Sequence, residues 1–368
     1  MSEREQSVRG RMRAIWSWES QAPKQAKRRR GSTVVGLAAL VAFGCLARRA
    51  YATDECTGFL PDFGCDREAR PAGHVAPMSM PYLFEDPYIT TEVNLVGIYH
   101  GFPSDSVFEG GDAGIIALQA RLALTDRLAF IATKDGYMIN SPDNPWLKQD
   151  EGFMDISGGF KYAVIDDRAR GIIVTPSLRF EIPVGNSDVL QGDGEGVFIP
   201  AVSMGWGPKK VHLITDIGAQ LPIDKDRDSS SVFYNVHLDQ AFEVDFIPGA
   251  DYIVPFIELN GMVWVDSGEG KKSIDLKSPP APAQHVSLRT AQNILHDNGV
   301  TADRRFEGAD VANLGSSGMA GEDLVTFAWG VRVPLRSGMS TGFSYERALS
   351  QRKDIFEQRA TWMVDYQF

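Results

Sequence analysis

The side chains able to do chemistry recur at alternate positions of short segments; they do not gather in one motif. Glu92, Arg121, Asp155, Lys161, Arg179, Glu181, His212, Asp216, His237, Asp239, Glu243, Glu258 and Arg332 each interrupt an apolar stretch. Together with Glu346 and Asp365 they comprise nine carboxylates, four cations and two imidazoles. Successive residues of a strand point to opposite faces. Each of these groups would therefore stand on a polar face backed by an apolar one. The chemistry open to such a set is electrostatic: it lines a wet passage, or it pairs across strands and fills that passage. Nine acids against four bases predict a locally negative lumen, which favours cations. Asp239 and Glu243 would border one passage.

Covalent chemistry has little to work with. The whole chain has six His. A lipid-cleaving barrel needs a Ser nucleophile near a His on one strand face, and His100, His212 and His237 have no Ser two residues away. No H-E-x-x-H, phosphate-loop or dinucleotide signature occurs. The chain reads as not an enzyme and as needing no cofactor. Asp224, Asp226 and Asp228 have calcium-loop spacing. However, Ser229 stands where that loop needs Gly, and Asn235 where it needs Glu, so an acidic solvated loop is expected. Cys56 and Cys65, with eight residues between them, suit a local disulfide in an oxidising compartment. With only the distant His74 nearby they make a poor metal set, and no metal is expected.

The elements that must carry these residues are strands. From residue 88 onward, twelve segments of about ten residues can be read: 88–99, 112–124, 127–137, 152–164, 170–182, 195–206, 210–221, 232–244, 252–264, 323–333, 338–346 and 358–368. Short turns, such as Thr125-Asp126 and Gly207-Pro208-Lys209, alternate with the longer loops 100–111, 138–151, 183–194, 222–231, 265–322 and 347–357. In 170–182, Ile172, Val174, Pro176, Leu178, Phe180 and Ile182 oppose Thr175, Ser177, Arg179 and Glu181. The last strand places Trp362, Val364, Tyr366 and Phe368 on one face. Apolar alternating with polar, short turns alternating with long loops and aromatics near strand ends together predict an all-β fold: a closed antiparallel transmembrane β-barrel of about 12 strands. The short turns would face the periplasm and the long loops the exterior. A soluble β-sandwich also has many short strands but does not require such alternation of turn length. In loop 265–322, Ser287 as cap, Leu288, Ala291 and Leu295 as one face and Gly299 as stop predict a short helix. This loop is the expected plug, with disorder as the alternative.

The front of the chain reads as a secretory signal over 1–52. A basic run, Lys27-Arg28-Arg29-Arg30, precedes an apolar run from Thr33 to Ala47 and the small-x-small site Ala50-Tyr51-Ala52. The apolar run is short for a spanning helix. Translation starting at Met12, or lipid attachment at Cys45, are the alternatives. Residues 53–86 read as a periplasmic extension and 87–368 as the barrel. Beyond residue 52 the chain has 26 basic and 45 acidic residues, net −19, which argues against nucleic-acid partners. The expected location is the outer membrane. The expected partners are its lipid and lipopolysaccharide, the barrel-assembly machinery and a small-molecule solute.

Three passages carry a resemblance. Leu124-Thr125-Asp126-Arg127-Leu128 looks like a periplasmic turn common in outer-membrane barrels. Gly158-Gly159-Phe160-Lys161-Tyr162 and Leu178 through Pro183-Val184-Gly185 resemble the "GxKY … LxxPxG" pattern of the outer-membrane transporter family labelled "MetA-pathway of phenol degradation". The terminal Phe368 resembles the residue read by the assembly machinery of such barrels, with Trp362, Val364 and Tyr366 completing the signal. The family resemblance covers about 112–210, and insertion 265–322 departs from it. It implies passive uptake of small solutes, aromatic or otherwise hydrophobic, and no catalytic residues. The alternative is a structural or surface-interaction barrel with a plugged lumen.

Overall fold

The computed structural model describes residues 70–167, 169–278, 281–299 and 306–368. The signal segment 1–52, Cys45, Cys56 and Cys65 lie outside the described residues.

Twelve antiparallel strands follow one another around a closed ring. They are β1 (Glu92–Gly101), β2 (Gly111–Ala123), β3 (Leu128–Lys134 and Tyr137–Pro142), β4 (Asp150–Phe153 and Ile156–Tyr162), β5 (Ile172–Ile182) and β6 (Val197–Trp206). The ring continues with β7 (Val211–Pro222), β8 (Ser230–Gln240), β9 (Tyr252–Asp266), β10 (Asp323–Pro334), β11 (Met339–Ala348) and β12 (Gln358–Gln367). Closure comes from β1, which pairs with β2 from Glu92↔Arg121 to Gly101↔Asp112 and with β12 from Glu92↔Gln367 to Gly101↔Gln358. Among the described residues this ring has no open strand edge, the condition for a sheet in hydrocarbon.

The predicted strands are found, with two differences. β1 starts at Glu92 and not at 88, because Tyr88 to Thr91 belong to a segment inside the barrel. β3 and β4 run past the expected segments into 138–151, β3 reaching Pro142 and β4 starting at Asp150. β3 does so through a break at Asp135-Gly136, where Gly136 has φ +124° and a Cβ would meet the Ile116 carbonyl at 2.7 Å. The Asp135 carboxylate accepts from Leu118 N at 2.8 Å, replacing a ladder bond that the break removes.

The faces follow the two-residue period. On β5 the even-numbered residues from Ile172 to Ile182 face out and Ile173, Thr175, Ser177, Arg179 and Glu181 face in. β7, β8 and β10 follow the same rule. The outer surface carries Ile116 at 66% exposure, Trp329 at 55%, Leu178 at 54% and Trp362 at 47%, with a continuous array of similar residues. Apolar area of that extent belongs in lipid.

Over the long-loop rim the loops form a packed cap. Phe102, Phe108, Leu147, Val189, Ile274, Leu276, Leu314 and Ile355 share one buried cluster with the helix α1 (Leu288–Asp297). This helix forms as the sequence predicts: Ser287 Oγ accepts from Thr290 N, and Leu288, Ala291 and Leu295 are buried. The described part of loop 265–322 is thus folded, as a hairpin of Ser273–Ser278 and Ala281–Ser287 followed by α1.

Candidate functional site

The lumen is filled, and the filling comes chiefly from a segment the sequence placed elsewhere. Of the extension expected beneath the barrel, residues 70–86 run inside it, and the segment reaches β1 at Glu92. Met78, Met80, Tyr82, Leu83 and Phe84 are all at most 3% exposed. Five bulky apolar side chains in a stretch with no strand period need somewhere dry, and the acids that follow them complement cations on the wall.

The segment rises from the short-turn rim to mid-lumen and returns. At its lower end Pro71 approaches Gly207, and the His74 ring lies 4.5 Å from Tyr88 and 5.4 Å from His212 between centroids. Higher up, Met78 N and Ser79 N donate to the two Glu258 oxygens at 3.0 and 2.7 Å, and Ser79 Oγ also bonds that carboxylate. A turn at Met80 (φ +48°) reverses the chain. Its carbonyls are taken by the wall: Gln119 donates to Pro81 O at 2.8 Å, and Arg179 donates to Tyr82 O and Leu83 O at 2.8 and 3.1 Å. On the way down, Glu85 accepts from Arg121 Nε and Nη2 at 2.9 and 2.7 Å and from Lys161 Nζ at 2.7 Å. Asp86 accepts from Arg70 Nη2 at 2.6 Å, and Lys161 also donates to Asp86 O. Buried charges need this kind of pairing, since each unpaired one costs several kcal/mol.

Of the thirteen candidate lining residues, ten gather around this segment: Glu92, Arg121, Lys161, Arg179, His212, Asp216, His237, Asp239, Glu258 and Arg332, all buried. His237 bridges Glu258 (2.7 Å) and Asp239 (3.0 Å). Asp216 accepts from Ser203 Oγ and Glu85 N. Arg332 donates to Ala76 O at 3.0 Å and pairs with Asp365. Two candidates lie higher. Glu181 pairs with Lys134 at 2.7 Å, and Asp155 accepts from Gly185 N and Gly192 N, both at 2.9 Å, and so organises a loop.

Glu243 is the exception. It keeps the inward parity but sits on the last rung, opposite Tyr252, where the wall has passed the end of the filling. It is exposed and bonds Lys210 Nζ at 2.7 Å. Asp239 and Glu243 therefore do not border one passage.

The opposite end is covered by 306–319, within loop 265–322. Asp310 takes Arg359 at 2.6 and 3.2 Å, Gln191 donates to Val311 O, and Phe306, Leu314 and Met319 are buried. Sequence reasoning missed Arg70, His74, Glu85, Asp86, Asp310 and Arg359 as members of this interior. The one available signal was the apolar run Met78 to Phe84 followed by Glu85-Asp86, too hydrophobic for a solvated tether.

No family model matches the chain, and no curated protein matches it. Among solved structures, the COG4313 outer membrane channel from Pseudomonas putida F1 is similar at 14% identity and TM-score 0.46, covering 80% of this chain and 100% of that one. The NanC porin is similar at 8% identity and TM-score 0.40, over 75% of this chain and 100% of that one. LpxR from Salmonella typhimurium is similar at 7% identity and TM-score 0.42, with the same coverage.

Proposed function

We propose that the protein is an outer-membrane channel for small solutes whose resting state is closed by its own residues 70–90. One observation carries the reading: the lumen is filled by a separate length of chain. The segment holds the wall through ion pairs and main-chain hydrogen bonds, and it can leave without breaking a rung of the barrel ladder. In this reading the short-turn rim faces the periplasm and the long-loop cap faces outward. The apolar belt meets membrane lipid and lipopolysaccharide. Trp362, Val364, Tyr366 and Phe368 present the assembly machinery with an outward apolar edge on the closing strand. The resemblance to the phenol-degradation family suggests aromatic or other hydrophobic solutes entering passively.

Planar-bilayer recording on the purified full chain tests this. Wild type is expected to conduct rarely, and deletion of 74–90 is expected to give steady stepwise conductance. Silence of the deletion variant, with its heat-modifiable gel migration intact, refutes the reading. It would favour a second one, a closed barrel that presents its loops to a surface partner. The cover formed by 306–319 over Arg359 supports that alternative, because it closes the lumen a second time.

A further inference from the structure

We propose that His74 on the inner segment, with His212 and Asp239 on the wall, binds one divalent transition-metal ion, best matched by Zn2+. Donor atoms of the three residues all lie within 4.8 Å of one another. All three side chains are at most 1% exposed. His74 Nε2 lies 3.2 Å from Asp86 Oδ1, and His212 Nδ1 lies 2.6 Å from Asp239 Oδ1. The remaining nitrogens, His74 Nδ1 and His212 Nε2, are buried and have no hydrogen-bond partner among the described residues.

The tautomers follow from those contacts. A neutral imidazole carries one N–H. The nitrogen facing a carboxylate must hold it, so each orphaned nitrogen presents a lone pair. Two buried lone pairs with no donor are unfavourable as they stand. They are what a metal ion requires, and Asp86 behind the His74 ring is the bracing typical of metal-bound His. Two imidazoles and a carboxylate suit Zn2+ with water as fourth ligand. Asp239 would exchange one of its bonds to His212 or His237 for the metal. Donors around a tetrahedral ion stand roughly 3.4 Å apart, so the side chains need to close by about 1 Å.

The surrounding charge favours a dication. Asp86, Asp239 and Glu258 lie in the network, with Arg70 held between Asp86 and Glu92. Because His74 is on the inner segment and His212 and Asp239 are on β7 and β8, the ion would tie that segment to the wall at the short-turn rim. The site stands whether or not the barrel conducts.

The test is calorimetric titration of ZnCl2 into the untagged, detergent-folded chain in a Cys56→Ser/Cys65→Ser background. One Zn2+ per chain, with micromolar or tighter Kd, is expected. His74→Ala and His212→Ala should each weaken it at least tenfold, and His285→Ala, at an exposed His on the loop hairpin, should leave it unchanged. Co2+ should give the visible absorption of a tetrahedral site with nitrogen ligands. If His212→Ala fails to fold, His74→Gln carries the test, since it leaves the wall intact. No saturable binding, or binding that survives both His74 variants, overturns the proposal. A shared proton or a water between the rings would produce the former.

Discussion

Glu85→Ala should loosen the inner segment while leaving the barrel standing. Glu85 is 1% exposed and is the shared carboxylate of Arg121 and Lys161 through three charge-assisted hydrogen bonds. Removing one partner of a buried ion pair costs about 3–5 kcal/mol, because the other charge is left uncompensated. Two residual contacts argue for the lower end: Arg121 keeps Glu92 at 3.5 Å, and Lys161 keeps Asp86 O at 2.7 Å. A loss of about 3 kcal/mol shifts the docked equilibrium by roughly two decades, at about 1.36 kcal/mol per tenfold. It falls on docking and not on the barrel, whose ladder bonds do not involve Glu85. Hydrogen exchange of peptides spanning 76–90 should accelerate about a hundredfold, with strand peptides unchanged. Glu85→Gln should behave similarly, since it keeps the shape and loses the charge, whereas Glu85→Ala with Lys161→Met should recover part of the protection. Unchanged exchange over 76–90 in Glu85→Ala would refute the claim that these ion pairs hold the segment.

Phe368→Ser, which removes the ring set edge-on against Tyr366 at 4.8 Å, or deletion of Phe368, which also removes the N–H donated to Thr91 O at the closing seam, should lower the folded, heat-modifiable population several-fold without reducing secretion; unchanged outer-membrane levels would contradict this. Gly159→Ala should destabilise the barrel by about 1–3 kcal/mol, read as a lower temperature of gel unfolding, since a Cβ there would meet the Leu178 carbonyl at 2.0 Å and the Arg179 Cα at 2.7 Å. Burial pushes the Glu307 carboxyl up to about 7, against hydrogen bonds from Ser229 Oγ, Leu314 N and Ser316 N. A carboxyl raised on folding stabilises its protonated form, so docking of 306–316 should be strongest below pH 4.5 and weaken as pH rises through about 7. Limited proteolysis of that loop across pH 5–8 should show the trend, and Glu307→Gln should flatten it. Glu243→Gln should change neither conductance nor stability, because the residue is exposed beyond the filled lumen; a conductance change would place it on the pathway.

The sequence by itself determined the wall. A two-residue period is a local property, so Leu178 against Arg179 and Leu238 against Asp239 reveal which face is apolar without any knowledge of the partner strands. Turn residues then fix how many times the chain reverses, and helix α1 was legible for the same reason, from a cap, a spacing and a stop. What fills the wall was decided only in three dimensions. Residues 78–84 have no period to read, and the fit of Glu85 to Arg121 and Lys161 joins positions 36 and 76 apart in the chain. The same holds for His74 beside His212, or Asp310 beside Arg359. Glu243 marks the limit from the other side: its parity was right, but where the filling ends along the barrel axis is set by packing. Charge pairing across a closed ring depends on which strands meet and at what height, and no local pattern encodes that.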